Sequence, residues 1–131
     1  MQDYFKIFLN IYSLFNLLYC DLIIMILAFP TYEAGFDGPL CEHFGHSEKF
    51  IIVDFDEGTR AISNLIEIPN LPHEAGGCMN PVLQLKTQGV QGIVILGIGD
   101  RPLQGFLNQG NSVIQGVSGS ARANFEAYLS G

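Results

Sequence analysis

Residues 92–110 read GIVILGIGDRPLQGFLNQG, and this stretch decides the fold. A short apolar run between Gly92 and Gly97 is the pattern of a buried strand. Gly97-Ile98-Gly99-Asp100 is a turn, and RPLQGFLNQ is a helix closed by Gly110. Downstream, residues 112–117 (SVIQGV) form a last strand. Ser120 caps a final helix, ARANFEAYL, with Ala121, Phe125, Tyr128 and Leu129 at helical spacing. Upstream, Asn80-Pro81 supplies an N-cap and a proline at the first helical position, and PVLQLKTQ ends at Gly89. Helices alternating with strands imply right-handed parallel crossovers.

The first half has a different rhythm. Residues 25–30 (MILAFP) are an apolar run ended by Pro30, as in a core strand. Residues 31–48 form a long loop, and loops of that length without structure of their own are usually functional or disordered. KFIIVDF (49–55) and RAISNLIEI (60–68) flank Asp56-Glu57-Gly58-Thr59, a β-hairpin signal. Residues 69–79 form a second loop. The expected order is β, loop, β-hairpin, loop, α, β, α, β, α. It gives an α/β domain built on one mixed sheet of about five strands covered by helices. There is no internal repeat.

The chain has 131 residues, nearly half of them apolar, so it suits one domain that folds without disulfide staples. Three cysteines is an odd number, which fits reduced thiols in the cytoplasm better than a secreted framework. Thirteen acidic against six basic residues give a net charge of −7. That balance argues against nucleic acid, which is bound by Lys and Arg, and against anionic membrane surfaces.

Residues 1–24 stand apart. Phe5 to Ile24 (FKIFLNIYSLFNLLYCDLII) has the length of a membrane helix. Lys6, Asn10, Asn16 and Asp21 interrupt it, and an aspartate at a span's centre costs roughly 2.5–3.5 kcal/mol. A signal peptide fits poorly, with no basic n-region beyond Lys6 and no clear cleavage site. The segment reads as a hydrophobic extension ahead of a start at Met25. A membrane anchor and a helix packed on the domain are its alternatives. The domain proper is expected over 25–131.

All three histidines and two of the three cysteines lie within residues 41–78. The group opens with Cys41-Glu42-His43-Phe44-Gly45-His46 and closes with His73-Glu74-Ala75-Gly76-Gly77-Cys78. Imidazole and thiolate are the donors preferred by zinc, copper and iron–sulfur-type clusters. The spacings C-x-H-x-x-H and H-x(4)-C do not spell a closed zinc site, which pairs its ligands more tightly. Loose donors on loops suit a site that accepts and releases a preformed cluster.

Several of these stretches resemble the dinitrogenase iron–molybdenum cofactor biosynthesis family. They are His43-Phe44-Gly45 followed by KFIIVD, then Gly76-Gly77-Cys78, then QGVQGIVILGIGDRPLQGFLNQG at 88–110. Their order and spacing over about Met25 to Gly131 carry the likeness, since HFG alone is weak. The resemblance implies a ribonuclease-H-like, three-layer α/β fold. It further implies binding and carriage of iron–molybdenum cofactor, or a related molybdenum or iron–sulfur cluster, during nitrogenase cofactor assembly. Partners would be cofactor-assembly or nitrogenase proteins.

Cys78 is the better thiol. Two glycines precede it and a helix begins just after, a setting that favours thiolate. His43 is its expected companion as a metal ligand, and His46, His73 and Cys41 are further candidates. Each also has a plain reading. HFG can be a structural turn in which Phe44 plugs the core and Gly45 takes an unusual backbone angle. Cys41 can be a small buried hydrophobe, and His46 a polar loop residue. Gly97 and Gly99 can offer backbone N–H groups to an anion at a helix start, or can simply shape the turn. Arg101 reads as a solvated helix-end side chain. Gly76 and Gly77 can let backbone approach a ligand.

A non-enzymatic cluster carrier is thus the leading expectation. A regulatory or interaction module without metal is the alternative. A magnesium nuclease is less favoured, because MILAFP carries no acid and Asp54 and Asp56 suit a hairpin end. A thiol enzyme using Cys78 is likewise less favoured, since no nucleophile–base pair is legible.

Overall fold

The computed structural model describes residues 23–70 and 79–131. The readings of the N-terminal stretch, and of His73, Gly76, Gly77 and Cys78, fall outside the described residues.

Five strands form one mixed sheet: β1 (Ile24–Thr31), β2 (Lys49–Asp56), β3 (Ile62–Pro69), β4 (Gly92–Ile95) and β5 (Ser112–Gln115), in the order β3-β2-β1-β4-β5. β2 runs antiparallel to both β1 and β3, while β1, β4 and β5 are mutually parallel. Three helices are described: α1 (Met79–Thr87), α2 (Asp100–Asn108) and α3 (Ala121–Ser130).

Strand alternation sorts the apolar runs onto two faces. Leu27, Phe29, Ile51, Val53, Phe55 and Val94 pack with Phe36, Ala121 and Phe125 on the side of α3. Ala28, Phe50, Ile52, Ile93 and Ile95 pack with Val82, Leu85 and Phe106 on the side of α1 and α2. Both faces of the central strands are covered, which is why β1, β2 and β4 read as unbroken apolar runs. The expected mixed five-stranded sheet between helices is observed.

Several details differ from the sequence reading. α1 already includes Met79 and Asn80, so Asn80 is not its cap and Pro81 is not its first residue. β5 ends at Gln115 instead of Val117. There the Gly116 N–H goes to the Ile95 carbonyl, and the next N–H, of Val117, turns to the Asn124 side chain. The long loop after β1 is not bare: it holds short 3₁₀ turns at Gly35–Asp37 and Phe44–His46. It is stitched down by bridges from Leu40 to Thr31 and from Pro39 to Ser120.

Other local readings hold. The Ser120 hydroxyl accepts from the Ala123 N–H at 2.9 Å, capping α3. Gly89 closes α1 with φ +77°, a conformation that favours glycine. In the hairpin, Asp56 Oδ1 accepts from the N–H groups of Gly58 and Thr59.

Candidate functional site

The parallel strands set the location. β1 connects to β2 on one side of the sheet, whereas the chain leaving β4 crosses through α2 to β5 on the other. The carboxyl ends of β1 and β4 therefore flank a point where the winding direction changes, the usual place for a ligand in an open α/β sheet. Two segments singled out in the sequence meet there, the turn carrying His43 and His46 and the turn around Gly97.

Phe44 is the anchor of the first turn. Its ring is buried and packs against Phe50 at 5.5 Å and Phe106 at 5.4 Å between centroids. Its N–H donates to the Gly97 carbonyl at 2.9 Å. The approach is close: a Cβ built on Gly97 would lie 2.8 Å from the Glu42 oxygen and 3.5 Å from His43 Nδ1. Glycine at 97 is what lets the two turns touch.

With Phe44 plugged inward, His43 and His46 are left outside. Both are exposed, their ring centroids are 5.7 Å apart, and the rings stand edge to face at 72°. Neither imidazole has a hydrogen bond to another described residue.

Cys41 lies beneath the same turn. It is fully buried, its N–H donates to the Pro30 carbonyl, and its thiol donates to the His43 carbonyl at 3.1 Å. This geometry fixes the backbone that carries His43 and turns the sulfur away from solvent. Tyr32 sits beside it, accepting from the Glu42 N–H at 3.3 Å. That bond favours the phenolate. The neighbouring Cys41 thiol, desolvation and the Glu42 charge outweigh it, and the phenol's pKa is raised.

Gly45 corrects an expectation: it does not adopt positive φ. Gly99 precedes α2 in extended conformation without a side-chain cap, and its carbonyl accepts from the Leu103 N–H. Asp100 in the first turn already places a negative charge at that helix end. Arg101 is exposed.

The roots of the second donor segment are also at this end. Asn70, the last described residue before 71–78, donates its backbone N–H to the Glu48 carbonyl, beside the start of β2. Its Nδ2 donates to the Ser47 carbonyl at 2.8 Å. The start of β2 pairs with the end of β1 through Thr31 and Lys49. Ser47 and Asn70 were missed from sequence, since nothing in a linear reading pairs two loop residues across a hairpin.

Among the described residues, no three His, Cys, Asp or Glu side chains converge as a metal site would require. A cleft of about 420 Å³ lined by Phe55, Glu57, Arg60, Tyr128 and Leu129 lies at the opposite end of the sheet and contains no histidine or cysteine. No described helix is long and apolar enough to cross a membrane.

Comparison with known proteins follows the same lines. The model of the family described as dinitrogenase iron–molybdenum cofactor matches residues 25–131. No curated protein matches the chain. Among solved structures, the crystal structure of PH0822 is 26% identical with a TM-score of 0.71, covering 81% of this chain and 91% of its own. An NMR structure of a Thermotoga protein provisionally named NifB, of the DUF35 family, is 19% identical with a TM-score of 0.67, covering 82% and 89%. The apo form of the orange protein from Desulfovibrio gigas is 21% identical with a TM-score of 0.66, covering 81% and 88%. The last two likenesses concern the fold alone.

Proposed function

The chain belongs to the dinitrogenase iron–molybdenum cofactor family, and from that premise we propose that it is a non-enzymatic cytoplasmic carrier. Its cargo is an iron–molybdenum cofactor or a related molybdenum or iron–sulfur cluster. Its partners are the assembly or nitrogenase proteins that give and take that cargo. The β3-β2-β1-β4-β5 order, with helices on both faces, supports the ribonuclease-H-like reading of the domain.

One observation carries the proposal. His43 and His46 stand exposed and without hydrogen-bonding partners among the described residues, on a turn clamped to Gly97 at the carboxyl ends of β1 and β4. Imidazole donors held this way suit a molybdenum- or iron-containing cluster. Cys41 fits less well as a direct ligand, because its thiol is buried and bonded to the His43 carbonyl. Cys78 is the thiol ligand in this reading, with His73 as a further donor. Gly76 and Gly77 would allow close backbone approach, and Gly97 and Gly99 would line the wall opposite. Two or three donors give a grip loose enough for ligand exchange with an acceptor, which a carrier needs.

Anaerobic reconstitution with isolated iron–molybdenum cofactor tests this. Wild type is expected to bind, and His43→Ala and Cys78→Ala each to weaken binding at least tenfold. Unchanged binding in both variants removes the site.

The alternative reading is an interaction module that takes no metal. Metal analysis of protein purified without oxygen separates the two. Molybdenum or iron at stoichiometric levels favours the carrier.

A further inference from the structure

A chain of hydrogen bonds runs across the carboxyl end of the sheet and ends on the histidine turn. Asn70 Nδ2 donates to the Ser47 carbonyl at 2.8 Å and lies 3.4 Å from its hydroxyl. The Ser47 hydroxyl donates to the Phe44 carbonyl at 2.9 Å, and the Phe44 N–H donates to the Gly97 carbonyl at 2.9 Å. Ser47 is only 5% exposed, so these bonds are shielded from water. The backbone bearing His43 and His46 is thereby gripped from two sides, by Gly97 through Phe44 and by Asn70 through Ser47.

A simple loop staple needs only the donor of Asn70. Its other polar atom, Oδ1, is buried with no hydrogen-bond partner among the described residues. Orphan acceptors of that kind are costly, and each one calls for an explanation beyond local stapling.

We propose that Asn70 is a positioning residue for the His43/His46 pair. Acting through Ser47, its carboxamide sets the backbone of the turn at 43–46, and so the spacing at which the two imidazoles meet cargo. The inference rests on the carrier reading for the identity of the ligand and on geometry for the coupling. It also places this one side chain at the root of the segment that carries His73 and Cys78 in the sequence.

The test uses the full chain, first without cargo. In Asn70→Ala, amide hydrogen exchange at His46 and Ser47 is expected to speed up at least tenfold, with shifts in the NMR ring resonances of His43 and His46. Ser47→Ala, which removes the hydroxyl bonded to the Phe44 carbonyl but keeps the carbonyl that Asn70 bonds, should also speed exchange at the turn. Asn111→Ala removes a hydrogen bond to the Val90 carbonyl at the far end of the sheet and should change neither readout. Asn70→Asp supplies a pH signature that general loosening would not. As carboxylate it lacks the donor and behaves like the alanine variant at neutral pH. Below about pH 4 it is protonated and can donate to the Ser47 carbonyl, so its exchange at His46 and Ser47, taken as a ratio to wild type at the same pH, should return towards one.

Unchanged exchange at 43–47 in Asn70→Ala, or no pH-dependent recovery in Asn70→Asp, overturns the proposal. Isolated iron–molybdenum cofactor then separates it from the carrier reading. If wild type takes up no cofactor while Asn70→Ala still disturbs the histidine turn, the carrier reading fails and the positioning role stands. If wild type binds and Asn70→Ala binds with the same affinity and visible spectrum, the carrier stands and the positioning role fails.

Discussion

The Phe44 N–H reaches the Gly97 carbonyl at 2.9 Å, joining the first loop of the chain to the end of β4. The bond explains why the strand read from GIVILG stops at Ile95. The carbonyl of Gly97 belongs to the histidine turn and not to the ladder.

Gly97→Ala tests that join directly. The new methyl would lie 2.8 Å from the Glu42 oxygen, a backbone atom that can yield only by moving the turn. Overpacking of this kind costs about 1–3 kcal/mol, measurable as a lower midpoint in urea. The displaced turn carries His43, so cofactor binding is expected to fall by more than the fold's loss of stability accounts for.

Phe44→Ala separates the structural share of HFG from the binding share. The ring is 1% exposed between Phe50 and Phe106, and deleting a buried phenylalanine costs about 3–5 kcal/mol. That is a large part of a small domain's total stability, typically about 5–15 kcal/mol. His43→Ala, by contrast, removes an exposed ring and should leave the urea midpoint within about 0.5 kcal/mol of wild type.

How far the sequence reached follows from what kind of contact each feature needs. The central strands are legible because apolar runs such as FIIV (50–53) and GIVI (92–95) mark strands covered on both faces. The Ser120 cap was legible because its partner, Ala123, is three residues away. Strand order was not, since nothing local places β1 between β2 and β4. Ser47 and Asn70 were invisible for the same reason: they meet only because β2 and β3 fold back on each other. The donor-rich window was found, but which of its members face outward depends on Phe44 turning in. Cys41 looked like a donor by composition and lies under the turn.

The Asp37–Arg122 pair gives a pH dependence with a definite sign. Arg122 Nε donates to Asp37 Oδ1 at 2.5 Å, and its guanidinium lies 4.6 Å from the Phe36 ring centroid. The hydrogen bond from Arg122 holds the Asp37 carboxyl below its ordinary value, with desolvation opposing. A carboxyl depressed in the fold contributes stability that is full above its unfolded pKa, about 3.9. That contribution is lost as pH falls through the lower folded value. Arg122→Ala should therefore flatten the acid limb of a stability–pH curve below about pH 4. The pair is exposed, so salt should shrink the difference. Arg122→Lys keeps the charge but not the fork over Phe36, and is expected to restore the pH dependence only in part.

Cys41 offers the sharpest contrast within the donor window. If its sulfur supports the turn and does not touch cargo, alkylation by iodoacetamide should miss it in the native protein and reach it only on unfolding. Peptide mapping would read this out. Cys41→Ala would then free the His43 carbonyl of one donor and cost about 1 kcal/mol, with cofactor affinity reduced only mildly. Cys41→Ser retains a donor at that position, though a shorter one, and should come closer to wild type in the urea midpoint. A tenfold loss of cofactor binding in Cys41→Ser with an unchanged midpoint would mean that the thiol leaves its buried position to bind cargo. In that event the turn must open on loading, because the sulfur cannot both bond the His43 carbonyl beneath the surface and reach a cluster above it.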